Sequence, residues 1–219
     1  MRARLFAISL VLFSVPVLAQ APAARPPAAP ASQAHASSLG FSYSIPSDWE
    51  VVDAQPSLPV VQQQVAKTAT SEDEKKGIAC VQIALTARHG SPASVVVVMA
   101  LPFDCFGQTM TDKDLPGFAT GASDGLKNTF DITDPVYGAY TLGSHGMWIE
   151  RAKGTPHDNP NAAFTVEIAC SLLKKGAVCW LALAADDAGL QTFEHGLVTL
   201  DSEAPISLVP ADAFAKKPS

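Results

Sequence analysis

The sequence predicts an α+β domain built on a largely antiparallel sheet that helices cover. Two patterns carry this. Apolar segments with strand character come in adjacent pairs joined by short polar turns, and stretches with helical spacing fall between the groups. A third observation bounds the size. Of 219 residues 47% are hydrophobic and only 16% charged, enough apolar mass for one ordinary core and too much for a wholly disordered chain. With 15 basic against 21 acidic side chains, the net charge of −6 repels phosphate, and no basic cluster compensates. A nucleic-acid partner is therefore not expected.

The chain opens on an export pattern. Arg2 and Arg4 precede the uncharged apolar run Leu5–Leu18, and Val17-Leu18-Ala19 places small residues before a cut at Gln20. Residues 1–19 are expected to be a signal peptide. The run is shorter than the roughly 20 residues a bilayer span needs, so no transmembrane anchor is expected once it is removed. Removal would leave 13 basic against 21 acidic side chains, a charge of −8. Residues 20–38, rich in alanine and holding Pro22, Pro26, Pro27 and Pro30, read as a linker with no capacity for a core. His35 lies in it and is given no role. The folded domain is expected over 39–205, with 206–219 as a flexible tail.

Within the domain, Phe41–Ile45 reads as a strand that turns at Pro46-Ser47-Asp48 and leads through Trp49 into Glu50-Val51-Val52. Leu58, Val61 and Val65 predict a helix over about 57–70. Ser71-Glu72-Asp73-Glu74-Lys75-Lys76 reads as a solvated loop. Strands are predicted over Ile78–Ala87 and Ser94–Leu101, and the run Val95–Val98 in the second implies cover on both faces. Asp114 is placed to cap a helix whose Leu115, Phe118, Ala119, Ala122 and Leu126 share one arc, weakened by Gly117, Gly121 and Gly125. Strands follow near Val136–Leu142, Met147–Lys153, Ala163–Leu173 and Ala177–Ala184. A last helix begins at Asp186-Asp187 and turns Leu190, Phe193 and Leu197 inward.

Cys80, Cys105, Cys170 and Cys179 all lie in the part expected to be exported, so two structural disulfides are expected. If the hairpin after Leu173 turns between Lys174 and Lys175, Cys170 stands opposite Cys179 within disulfide reach. A bulge at Gly176 would slip that register by one. By elimination Cys80 pairs with Cys105. No C-x-x-C spacing occurs and no histidine stands at ligand spacing from a cysteine, so no metal site is expected, and nothing in the sequence gives reason to expect another cofactor.

The opening Gly40-Phe41-Ser42-Tyr43-Ser44-Ile45-Pro46-Ser47-Asp48-Trp49 resembles the start of PsbP/Mog-type domains, with glycine, phenylalanine, proline and tryptophan in matching places. The order of elements over about 39–205 follows the same plan, closing on a strand, an acidic turn, a helix and a short strand near Leu197–Leu200. The resemblance implies an α/β/α sandwich, used in that family mainly for binding or assembly. It brings no catalytic set, so no functional residue is carried over, and the two disulfides are not part of its pattern.

Three stretches invite chemistry. Gly121-Ala122-Ser123-Asp124-Gly125 has the G-x-S-x-G form of a hydrolase elbow, and Asp186 or Asp187 with His195 could complete a triad. It lies inside a helical pattern, however, without the preceding strand that lifts such a serine into place. His157 and Asp158, in the Pro- and Asn-rich loop Gly154–Asn161, form a polar loop site or simply a turn. Trp148 and Glu150 share one strand face and are binding candidates if that face is open; covered by a helix, Trp148 belongs to the core. Trp49 and Trp180 are expected in the core, and His89 and His145 in turns. The expectation is a periplasmic or secreted, non-catalytic domain that binds a protein partner or envelope component. A small-ligand carrier is the alternative, with the Ser123 hydrolase more remote.

Overall fold

Residues 32–53, 62, 71–91 and 93–215 are described by a computed structural model. The segment 1–19 expected to direct export, residues 20–31 of the expected linker, the end of the expected tail and all but one residue of the helix expected over 57–70 lie outside them. The described strands form two antiparallel sheets. One has seven strands, in the order β3 (Glu50–Val51), β4 (Gln82–Gly90), β5 (Ala93–Pro102), β9 (Gly176–Ala184), β8 (Phe164–Leu173), β7 (His145–Pro156) and β6 (Phe130–Leu142). The other orders β1 (Ser32–Ala36), β2 (Phe41–Pro46), β10 (Leu197–Leu200) and β11 (Ile206–Ser207). The chain is therefore α+β with antiparallel sheets.

Alternation along the central strands sends successive side chains to opposite faces, and each face has its own core. Val97 and Met99 of β5, Cys179 and Leu181 of β9 and Ile168 of β8 meet the helical side. That side holds α1 (Glu72–Cys80), the short α2 (Phe103–Phe106) and α3 (Leu115–Leu126), which supply Ile78, Phe106, Leu115, Phe118 and Leu126. On the opposite face Val96, Val98, Trp180 and Ala182 meet Phe41, Tyr43 and Ile45 of β2, and Leu190 and Phe193 of α4 (Asp187–Glu194). Helices thus cover one face, while a four-stranded sheet and one helix cover the other. The valine run lies in β5 between β4 and β9, with Val96, Val97 and Val98 buried and Val95 half-buried.

Both disulfides form as read from the sequence. Cys170 stands opposite Cys179 with the hairpin register unslipped at Gly176, and Cys80 joins Cys105. Trp49 and Trp180 are buried. Asp186 begins α4 and accepts a hydrogen bond from the Gly189 N–H at 2.9 Å. The serine elbow is absent: Gly121–Gly125 lies within α3.

Other elements differ. The charged run from Glu72 is helical through Cys80, because Ile78 and Cys80 bury one side of it and Gln62 Nε2 donates to the Ile78 and Ala79 carbonyls. Ser32–Ala36, placed in the linker, pairs with β2 from Ser32 opposite Pro46 to Ala36 opposite Ser42. Asp114 directs its carboxylate back to the N–H of Thr111 at 2.8 Å, boxing the 3-10 turn Asp112–Asp114 rather than capping α3. His89 and His145 lie in strands, not turns. His89 stacks on Trp49 with ring centroids 5.8 Å apart, and His145 donates from Nδ1 to the Leu172 carbonyl at 2.9 Å.

The expected tail is also part of the fold up to Ala215. Leu208, Val209 and Ala213 are buried because this segment lies across the outer strands of the large sheet. The Tyr140 hydroxyl donates to the Leu208 carbonyl at 2.7 Å, and a Cβ at Gly138 would stand 2.2 Å from the carbonyl oxygen of Ala213. Gly138 is therefore glycine because a backbone crosses it. Gly138→Ala should destabilise the protein by about 1–3 kcal/mol, read as a lower midpoint in denaturant melts. Gly90→Ala, where the added carbon meets nothing within 4 Å, should be neutral or slightly stabilising.

Candidate functional site

Strand β6 ends the large sheet and pairs with β7 alone among the described strands. Its two halves differ. The first carries Asp131, Asp134 and Pro135, and a register shift between Thr133 and Val136, with Asp134 at φ +53°. Charge, proline and bulge are the devices that keep other strands from a sheet edge. The second half, from Val136 to Leu142, has no charged residue and no proline. Val136 is 51% exposed and Tyr137 41%, among the large apolar or aromatic side chains left most open to solvent.

Tyr137 lies on the α3 side of the sheet, opposite Glu150 in the register, and Ala139 follows opposite Trp148. The Tyr137 and Trp148 rings are 6.0 Å apart and tilted by 41°, so the exposed phenol extends a half-buried indole out to the edge. The Trp148 Nε1–H is buried with no hydrogen-bond partner among the described residues. Beside it α3 closes over Glu150, and the buried Ser123 hydroxyl donates to Glu150 Oε1 at 2.8 Å. Burial pushes the Glu150 carboxyl up, while the bond from Ser123 and the charge of Lys127 pull it down. Lys127 itself is paired with Asp124 at 2.7 Å, three residues before it on the helix. The result is an aromatic ledge on a strand edge, backed by a closed polar pair.

The residues singled out in the sequence divide accordingly. Trp148 reaches the ledge. Glu150 shares its face but is 4% exposed, so it supports the ledge from beneath and is not free to touch a partner. His157 lies in the turn after β7, on the surface, with Nε2 3.3 Å from Asp131 Oδ1, and Asp158 is exposed beside it. The triad is not assembled. Ser123 lies on the buried side of α3, whereas Asp186 and Asp187 begin α4 and His195 ends it, on the opposite face of the sheet. Among the described residues no group of three or more His, Cys, Asp or Glu is arranged to hold a metal, and no helix is long and apolar enough to cross a membrane.

Tyr137 and Val136 escaped the sequence reading, although Asp134-Pro135 just before them signals an interrupted edge strand. A second omission is the polar centre on the opposite face. Glu167 of β8 is fully buried, and Arg151 donates from Nε to Glu167 and from Nη2 to Glu194 of α4. The Arg151 guanidinium also lies 4.5 Å from the Phe214 ring, so this one side chain ties sheet, helix and C-terminal segment together. Near it the Tyr43 hydroxyl donates to the Phe193 carbonyl, and burial with the Glu167 charge pushes both Tyr43 and Tyr140 well up.

A groove also runs between the small sheet and α4, with a volume of about 570 Å³ and Ser44, Pro46, Gln191, Thr192 and His195 in its lining.

No family model matches the chain, and no curated protein matches it. Among solved structures it has a PsbP-like neighbour, the solution structure of cyanobacterial PsbP (CyanoP) from Synechocystis sp. PCC 6803. The two are 13% identical with a TM-score of 0.38, over 78% of this chain and 89% of that one. At that level of superposition the likeness says nothing about activity or partner.

Burial holds Glu167 up from 4.5 to about 7 against the opposing pull of Arg151. The stability attached to its protonated form is complete below about 4.5 and is lost as pH rises through about 7. The stability of Glu167→Gln relative to wild type should therefore rise by about 1–3 kcal/mol between pH 4.5 and 7.5 in denaturant melts. A difference that stays constant over that range would contradict this role.

Proposed function

We propose that the chain is an exported, non-catalytic binding domain, and that an extended segment of a protein partner adds to the free side of β6 between Val136 and Leu142. The observation that carries this is the uncharged second half of the edge strand, with Val136 and Tyr137 open to solvent beside Trp148. An edge of unpaired backbone groups selects an extended peptide, because only a strand satisfies them in register. Aromatic side chains at the margin supply the anchor such contacts need. Export rests on the apolar N-terminal run and on the two disulfides, which persist in an oxidising compartment.

The groove beside α4 favours a second reading, a small-ligand carrier, for which its volume and its mix of Ser44, Gln191, Thr192 and Pro46 are suited. A discrete extra mass of small-molecule size, retained on the protein from its own source in native mass spectrometry, would favour that reading over the first.

The edge reading is tested by placing a photoreactive phenylalanine at position 137 and, as a control, at Val51 on the opposite edge of the sheet. Illumination of the envelope fraction should give one discrete heterologous adduct from position 137 and none from position 51. Tyr137→Ala should weaken the same complex by about tenfold or more. Equal adducts from both positions, or an adduct of twice the chain's own mass, would contradict it.

A further inference from the structure

The two disulfides occupy opposite environments. Cys170 and Cys179 are fully buried on paired strands in the helical-side core. Cys80 is 4% exposed at the end of α1, but its partner Cys105 is exposed, on the four-residue helix α2. Thiol–disulfide exchange needs an incoming thiolate to reach one sulfur from outside, so access alone separates the two pairs.

A second observation concerns charge. Lys76 lies one turn before Cys80 on α1, and positions four apart share a helix face. Its ammonium lies over Gly107, 2.9 Å from where a Cβ would stand, and Gly107 follows Cys105 by two residues at φ +75°. A cation held beside Gly107, two residues from Cys105, and carried one turn before Cys80 favours the thiolate that exchange releases. The neighbouring carboxylate, Asp104, accepts the Cys105 N–H at 2.8 Å.

We infer that Cys80–Cys105 is a thiol-exchange site for an external dithiol, and that Cys170–Cys179 is not. A thiolate of the dithiol attacks Cys105 Sγ, the Cys80–Cys105 bond breaks, and Cys80 leaves as a thiolate that takes up a proton. The second thiol of the dithiol, deprotonated, then displaces Cys105 from the mixed disulfide. The dithiol ends as a disulfide, and Cys80 and Cys105 end as thiols. The structural consequence is local. The covalent tie between α1 and α2 is lost while the sheet and its buried bridge persist. This site is separate from the β6 edge: α1 and α2 pack on β5 and β9, and β8 and β7 lie between those strands and β6.

The test is a dithiothreitol titration of the folded full chain, trapped with N-ethylmaleimide and mapped by peptide mass spectrometry. Cys80 and Cys105 should be labelled at reductant concentrations at least about tenfold below those that label Cys170 and Cys179. In that half-reduced form amide exchange should quicken over 72–80 and 103–107 while β8 and β9 stay protected. Lys76→Gln should slow the opening of Cys80–Cys105 severalfold, and an unchanged rate would overturn the role given to Lys76. Both pairs opening together, Cys170–Cys179 opening first, or neither opening before the chain unfolds would each overturn the site.

Discussion

A sheet whose central strands are apolar on both faces cannot stand with one face in water, and the arrangement of this protein follows from that. In β5 and β9 there is no polar side, so alternation delivers valine, methionine and leucine to one face and valine, alanine and tryptophan to the other. Each large side chain so covered contributes about 1.5–3 kcal/mol. One face receives α1 to α3. The other receives β2, α4 and a C-terminal segment in which, among the described residues, the short β11 is the only strand or helix. The C-terminal cover is held by directional contacts as well as apolar ones: Tyr140 to the Leu208 carbonyl, Arg151 over Phe214, and a glycine at 138 that lets the backbone through.

That demand weakens toward the outer strands, and this is where a binding surface becomes possible. By β6 the helical cover has run out past Trp148, and the opposite cover ends near Gly138 and Tyr140. Val136 and Tyr137 are left at the rim. The first half of the strand carries the protections expected of an exposed edge, and the second half carries none. Ser123 and Glu150 have a different task. The Ser123 hydroxyl on the buried side of α3, bonded to the Glu150 carboxyl, fixes how the helix sits beside the aromatic ledge, which is a positioning role.

What could be read from the sequence followed from periodicity. Val95–Val98 announced a strand covered twice, Cys170 and Cys179 fell opposite each other because the hairpin has no bulge, and the last helix began at Asp186-Asp187 as its spacing indicated. The failures share a different cause. Glu72–Lys76 looks like a solvated loop because helix formation there depends on distant packing of Ile78 and Cys80. Ser32–Ala36 has no strand pattern of its own and is ordered by pairing with β2. Residues 206–215 looked like a tail because a segment that packs with only the two-residue β11 as regular structure leaves no period to detect. In the candidate site Trp148 was legible as an anchor, but Tyr137 was not, because its exposure depends on β6 being the last strand.

The most direct test of binding along β6 is amide hydrogen exchange, measured on the chain alone and on the chain in its cross-linked complex. Strand addition predicts slowed exchange within 136–142 in the complex, with none at Glu50–Val51. Unchanged exchange along β6, or slowing confined to the groove around 44–46 and 188–197, would contradict it and place the partner elsewhere.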